Sequence, residues 1–347
     1  MRKWIVIAVI VIMAVGGLLA WKAWRMVMQP NLDLKGKERY ELFIKTGSTF
    51  EDVLEQLRKD EVLMDEKGFV WVAELKKYPN KVKPGRYLFK PGLNNNDLVN
   101  ILRSGGQVAV DVRINHVETV RELCSVVGAQ LELDSIALWR LLNDEERLAP
   151  LGLKPVDVLA MFMPNTYEMY WNSSAEAFFE KMYTVYHQFW TDKRLARAKE
   201  IGMSPQEVYI LASIVEKETM KRAEQKTIAG LYMNRMRKSW PLQSDPTVIF
   251  ALKQLYPDTT IRRVMRDDLT IDSPYNTYLI LGLPPGPIVM PHPSAIDAVL
   301  NYERHSYMYM CASAERPGYH SFAATLDEHN ANQRRYAKWM DERRIYR

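Results

Sequence analysis

Two carboxylates stand one residue apart at the end of the run Leu211-Ala212-Ser213-Ile214-Val215-Glu216-Lys217-Glu218-Thr219. A carboxyl group at the end of an apolar face is what general acid chemistry needs: partial desolvation raises its pKa and keeps it protonated near neutral pH, ready to protonate a leaving oxygen. Ser204-Pro205-Gln206-Glu207 supplies an N-cap serine, proline at the first helical position and glutamate at the third, so a helix starts there. Val208, Leu211, Ile214 and Val215 recur at helical spacing, and Glu218 continues their stripe. Glu218 is thereby expected to face the core. Glu216, about 200° away around the helix, shares its side with Ala212 and Ser213 and is expected to look outward. The competing reading is a frayed helix end on which Glu218 makes a solvated i,i+4 pair with Arg222.

The groups that would surround such an acid lie downstream. Arg222 to Arg237 reads as a helix with Ile228, Leu231, Tyr232 and Met236 apolar and Asn234-Arg235 polar. Trp240-Pro241-Leu242-Gln243-Ser244-Asp245-Pro246-Thr247-Val248 reads as a polar loop ending in an Asp-Pro turn. Tyr275-Asn276-Thr277-Tyr278 leads to Gly282-Leu283-Pro284-Pro285-Gly286-Pro287-Ile288, which cannot be regular helix or central strand. Rich in amides, hydroxyls and aromatics, these loops suit a polyhydroxylated ligand. Tyr307 to Met310 alternates like a strand, and a last helix follows Glu328-His329-Asn330. No glycine-rich phosphate loop, Gly-x-Ser-x-Gly or His-Glu-x-x-His occurs. His292, His320 and His329 match no helix-based metal site, so structural roles are expected for them, with no metal and no cofactor.

The elements that must position these groups belong to a chain of 347 residues, 47% hydrophobic and 26% charged, the size of two or three domains. Trp4 to Trp21 is uncharged and almost wholly apolar, preceded by Arg2 and Lys3 and flanked by Trp4, Trp21 and Trp24 as interfacial aromatics. Residues 1–28 therefore read as a short leader and one uncleaved membrane anchor, with the large remainder exported. Cys124 and Cys311 form neither a metal site nor a disulfide framework, and two buried thiols are expected. The net charge of +5 comes without a lysine or arginine block, which argues against nucleic acid as a partner.

After a polar connector, residues 38–106 hold two copies of one plan. Tyr40 to Ile44 and Lys83 to Phe89 read as strands, each followed by a turn and an amphipathic helix, through Phe50 to Leu57 and through Leu98 to Leu102. The pattern from Lys45 to Leu57 resembles the LysM modules that bind N-acetylglucosamine polymers; a spacer for the next domain is the alternative. Residues 107–347 then read as a larger mixed domain, with an aromatic-dense stretch from Met161 to Trp171 fit for a sugar groove or a core. The fold class expected is α+β: one transmembrane helix, a small LysM-like α/β module and a mixed α+β catalytic domain.

The order and spacing of Ala212 to Thr219, Asn234-Arg235-Met236, Leu242 to Val248, Tyr275 to Tyr278 and Gly282 to Ile288 resemble the YceG-like endolytic murein transglycosylases, also called MltG. The resemblance implies that the second glutamate of Glu-Lys-Glu-Thr, Glu218, is the catalytic one. It also implies an enzyme of the bacterial cytoplasmic membrane, with its catalytic domain on the outer side. There it cleaves the bond between N-acetylmuramic acid and N-acetylglucosamine in nascent peptidoglycan to leave 1,6-anhydro ends. Peptidoglycan strands, the membrane and peptidoglycan synthases are the implied partners. Gln243, Ser244, Asp245, Thr247, Tyr275, Asn276 and Tyr278 are the candidates for the substrate wall. Two departures stand out: Ser239-Trp240-Pro241 replaces the usual glycine-methionine before Leu-Gln, and Asn165 removes a carboxylate, so no acid role is assigned there. A hydrolase using Glu218 and Asp245, a non-catalytic glycan-binding scaffold and a membrane-anchored assembly factor remain open.

Overall fold

The computed structural model describes residues 2–257, 259–261 and 263–343. The chain divides into two compact units: Met1–Val112 with Ala129–Leu133 and Tyr167–Ser174, and Arg113–Gly128 with Asp134–Thr166 and Ala175–Arg347.

In the first unit, helix α1 (Arg2–Met28) is apolar on all sides, buries none of its residues and reaches a mean hydropathy of 2.6. Its 27 residues rise about 40 Å, enough to cross a bilayer, which is compatible with a single-pass anchor. Buried amides hold its end: Asn95 donates to the Met26 carbonyl (2.9 Å), and Asn31 donates to Asn95 Oδ1 (2.7 Å) and the Asp65 carbonyl (2.9 Å). Strand β1 (Tyr40–Ile44) is followed by α2 (Phe50–Lys59), α3 (Glu66–Leu75), β2 (Gly85–Phe89) and α4 (Asn95–Ser104). The strands pair antiparallel with Leu42 opposite Tyr87. Their inward side chains, Leu42, Ile44, Tyr87 and Phe89, share one core with Leu57, Phe69, Val72, Leu98 and Leu102 from the three helices. The two-copy plan is therefore incomplete, because α3, capped by Asp65, stands between the copies.

The chain passes into the second unit within β3 (Val110–Ile114), returns to the first for residues 129–133 after α5 (Val120–Gly128), re-enters the second for α6 (Ser135–Leu142) and α7 (Glu145–Leu148), and returns to the first once more from within β4 (Asn165–Met169) to Ser174. The second unit continues with α8 (Ala175–Phe189), α9 (Asp192–Ile201) and α10 (Pro205–Glu218). Next come α11 (Gln225–Arg237), α12 (Asp245–Leu255), α13 (Pro293–Leu300), the antiparallel pair β5 (Tyr309–Ala312) and β6 (His320–Ala323), and α14 (Leu326–Glu342).

Helix α10 starts as its capping box and N-terminal proline predict, but every residue from Val208 to Val215 is buried. A helix enclosed on all sides has no solvent face; α10 packs against α9, α11, α12 and α13. The outward side expected for Ala212 and Ser213 is thus corrected. Ser213 Oγ donates to the Ile210 carbonyl (2.7 Å) and accepts from Ile288 N–H (3.1 Å), tying the proline-rich loop to α10. That loop needs Gly286, where a Cβ would overlap the Val156 carbonyl. The Asp-Pro pair corrects a second expectation: Asp245 and Pro246 open α12 rather than a turn, since proline suits the first helical turn.

Candidate active site

Glu218 is the last residue of α10, and Thr219 turns the chain into extended backbone (φ −145°, ψ 136°). Arg222 therefore lies in a separate 3-10 turn, Arg222–Glu224, and the helical i+4 position needed for a Glu218–Arg222 pair does not exist. Thr219 Oγ1 instead donates to Glu224 Oε1 (2.7 Å). Gln225 Nε2 donates to Glu216 (3.1 Å), so Glu216 is half-buried against the start of α11.

Ser244, wholly buried, donates its hydroxyl to Glu218 Oε2 (3.1 Å). Its own position is set from behind. Ser244 N–H donates to Thr277 Oγ1 (3.0 Å), Thr247 Oγ1 donates to the Ser244 carbonyl (2.7 Å), and Gln243 N–H donates to the Thr277 carbonyl (2.9 Å). Arg235 completes the brace from α11, donating from Nε to the Met308 carbonyl (2.8 Å) and from Nη1 to that of Leu242. Gln243 is exposed with φ +51°, a left-handed conformation in which a residue bearing a Cβ is strained by roughly 1–3 kcal/mol. The surrounding hydrogen bonds over-determine it, and the kink turns Ser244 inward.

Desolvation pushes the Glu218 carboxyl above the ordinary carboxylate range. The charge of His320, the Ser244 hydrogen bond and the Tyr232 hydroxyl oppose that rise, and the negative charge of Asp245 adds to it. Tyr232 is wholly buried on α11, and its hydroxyl, although it acts on Glu218, has no partner in hydrogen-bond geometry.

The other expected wall residues divide by where their polar groups go. Asp245 is exposed at the start of α12 and accepts from Tyr278 Oη (2.6 Å). Thr247 is buried and committed to Ser244 and Thr277. Tyr275 packs its ring on Phe250 (centroids 4.8 Å apart). Asn276, wholly buried, donates to the Leu269 and Ile271 carbonyls (2.9 Å each) and accepts from Tyr278 N–H (3.0 Å). Thr247, Tyr275 and Asn276 thus brace the loops, while Gln243, Asp245 and Tyr278 keep exposed or half-buried surface.

Sequence reasoning passed over Tyr232, Glu224, His320 and Thr277. Tyr232 was placed among the apolar residues of its helix, and the signal was its hydroxyl on an otherwise inward stripe. Glu224 is nearly buried and takes three donors: Thr219 Oγ1, His320 N–H (3.0 Å) and His320 Nδ1 (2.8 Å). Of the other histidines, His292 caps α13 by accepting from Ser294 N–H (3.1 Å), and His329 stacks on Tyr309. Among the described residues no group of three or more His, Cys, Asp or Glu side chains could hold a metal ion. Cys124 and Cys311 are free thiols, Cys124 buried and Cys311 partly so.

One residue before Glu218 the electrostatics reverse. Lys217 Nζ pairs with Glu118 Oε1 (2.6 Å), and Lys253 Nζ from α12 pairs with Glu118 Oε2 (2.9 Å). Burial pushes Glu118 up, but the hydrogen bonds and charges of the two lysines outweigh it and hold its carboxyl below the usual range.

These features define a mixed α+β protein with an apolar N-terminal helix and, in its second unit, one desolvated carboxyl held by a serine. The YceG-like family model matches residues 42–335, and the chain belongs to the YceG-like family. It is 25% identical to the endolytic murein transglycosylase of Bacillus subtilis (strain 168) over 335 residues, 92% of this chain and 90% of that protein. It is also 25% identical to the endolytic murein transglycosylase of Streptococcus pneumoniae (serotype 2, strain D39) over 332 residues, 87% of this chain but only 59% of that relative's length. The crystal structure of a YceG-like protein from Listeria monocytogenes superposes with a TM-score of 0.57 at 27% identity, covering 85% of this chain and 99% of that one.

Proposed function

We propose that the protein is a membrane-anchored endolytic lytic transglycosylase of peptidoglycan in which Glu218 is the single acid and base. The observation that carries this is the desolvated Glu218 carboxyl, raised by burial and held by one neutral hydroxyl. Protonated Glu218 donates to the glycosidic oxygen between N-acetylmuramic acid and N-acetylglucosamine, and the C1–O bond breaks to leave an oxocarbenium-like muramyl centre. The resulting carboxylate takes the proton of the muramyl C6 hydroxyl, whose oxygen closes onto C1. A 1,6-anhydro end forms, no water is consumed, and Glu218 returns to its protonated state. Gln243, Asp245 and Tyr278 supply the substrate-facing polar groups; Ser244 aligns the carboxyl; Thr247, Tyr275 and Asn276 hold the wall in place. The α1 helix anchors the protein in the cytoplasmic membrane with the catalytic unit outside, where nascent strands and peptidoglycan synthases are within reach. The Bacillus subtilis and Streptococcus pneumoniae relatives are endolytic murein transglycosylases, which supports the reaction class.

The test digests purified peptidoglycan with the full-length protein in detergent, wild type and Glu218→Gln, and identifies the new ends by mass spectrometry. Loss of 1,6-anhydro ends only in the variant supports the proposal, and equal cleavage by both overturns it. A second reading, a hydrolase, is favoured by the Asp245 charge acting on Glu218; reducing muramic acid ends in place of anhydro ends would establish it.

A further inference from the structure

Giving up one proton and then accepting another makes opposite demands on Glu218. Burial favours the protonated form needed for the first step and disfavours the carboxylate that exists between the two steps. Among the described residues Glu218 has no ion-pair partner at contact distance, so something else must make the carboxylate tolerable.

Two unassigned features converge there. The Tyr232 hydroxyl is wholly buried and unpartnered, an arrangement that costs free energy unless another state of the site supplies an acceptor. Its own burial raises the phenol well above its ordinary range, so it keeps a proton to donate toward an ionised Glu218. The second feature is Glu224, only 6% exposed, which grips Thr219, the residue after Glu218, and holds His320 by both its N–H and its Nδ1. A carboxylate accepts and does not donate, so this contact places a proton on Nδ1 and fixes the ring.

We propose that Tyr232 and the Glu224-held His320 are positioning residues that stabilise the ionised form of Glu218 between its two proton transfers. As Glu218 ionises, its oxygens become stronger acceptors for the phenol, and the electrostatic effect of His320 favours the carboxylate. The charged and titratable groups interacting with Glu218 are Tyr232 and Arg235 from α11, Asp245 from α12, Tyr278 from the loop after it and His320 from β6, with Ser244 as the neutral hydrogen-bond donor. Those on His320 are Glu224 and Glu218.

This inference rests on Glu218 being the acid and base, and the experiment separates the two. The full-length protein in detergent is assayed across pH for kcat and KM on a defined glycan strand, and its Tm is measured, as wild type, Tyr232→Phe, His320→Asn and Glu218→Gln. Tyr232→Phe is expected to keep or raise Tm, because it removes an unpaired buried hydroxyl. It should lower kcat about ten- to a hundredfold with KM little changed and move the alkaline limb of the profile to higher pH, since both groups hold the Glu218 pKa down. His320→Asn is expected to move the limb the same way; should it fail to fold, Tyr232→Phe decides alone. Wild-type kcat with an unmoved limb in Tyr232→Phe, or a fall in kcat equal at every pH with a lowered Tm, overturns the inference. Activity retained by Glu218→Gln would overturn the reading beneath it; an inactive Glu218→Gln with unmoved limbs in the other variants overturns this inference alone.

Discussion

Glu118 pairs with lysines of α10 and α12, and Glu218 ends α10 beside the N-cap of α12, yet the protonation of the two carboxylates is driven in opposite directions. Glu118 is partly buried and meets two lysine ammonium groups; Glu218 is desolvated and meets a serine hydroxyl. Burial acts upward on both. The difference lies in the cations, and the consecutive residues Lys217 and Glu218 divide the roles: the lysine pairs with Glu118, and among the described residues the glutamate has no salt-bridge partner at contact distance. An ion pair at Glu218 would strengthen the fold and remove the acid.

The comparison can be broken most severely at Glu218. Glu218→Gln is expected to lower cleavage by at least about 10²–10⁴-fold, and to do so while stabilising the protein at neutral and alkaline pH. The sign follows from the raised pKa. The protonated carboxyl's contribution is fully present below the unfolded value of about 4.3 and is lost as pH rises through the folded value. Glutamine does not ionise. The Tm of wild type and variant should therefore agree in acid and separate in favour of the variant at higher pH.

Ser244→Ala comes next. Loss of the Ser244 hydroxyl, hydrogen-bonded to the carboxyl, is expected to reduce kcat roughly tenfold or more and to raise the Glu218 pKa further, moving the alkaline limb upward. Asp245→Asn acts with the opposite sign: its charge raises Glu218, so neutralising it should move the alkaline limb to lower pH. Anhydro ends should persist in this variant, and their loss together with all hydrolysis would mark Asp245 as a second catalytic carboxylate.

Glu118→Gln should have the smallest effect. With lysines 38% and 42% exposed, solvent screening limits the loss to about 1 kcal/mol at neutral pH. Because Glu118 is held below its ordinary value, its contribution is present above the unfolded pKa and is lost as pH falls through the folded one. Denaturant titrations at neutral pH and in strong acid should show the deficit only in the former. An activity loss matching that of Glu218→Gln would erase the distinction between the two regions.

Particular residues show how much of this was legible beforehand. Ser204, Pro205 and Glu207 announced α10 because caps are local hydrogen bonds whose donors and acceptors lie within one turn. The stripe of Val208, Leu211, Ile214 and Val215 gave Glu218 its inward phase. The same reasoning misjudged Ala212 and Ser213, because periodicity describes one helix and cannot count the neighbours that enclose it. Asp245-Pro246 misled in another way: the pair suits a turn and a first helical turn equally, and the hydrogen bonds that Ser244 donates to Thr277 and accepts from Thr247 hold it where α12 begins.

The sequence by itself determined the apolar N-terminal helix, the caps, the α10 stripe and the motif order of the YceG-like family, all properties of residues near one another in the chain. Only the tertiary structure decided which polar groups reach the Glu218 carboxyl. Ser244, Tyr232 and His320 lie on separate elements, and no local pattern relates them. Chain folding brings them together, and desolvation, which sets the protonation of Glu218, is a property of the enclosed site rather than of any segment.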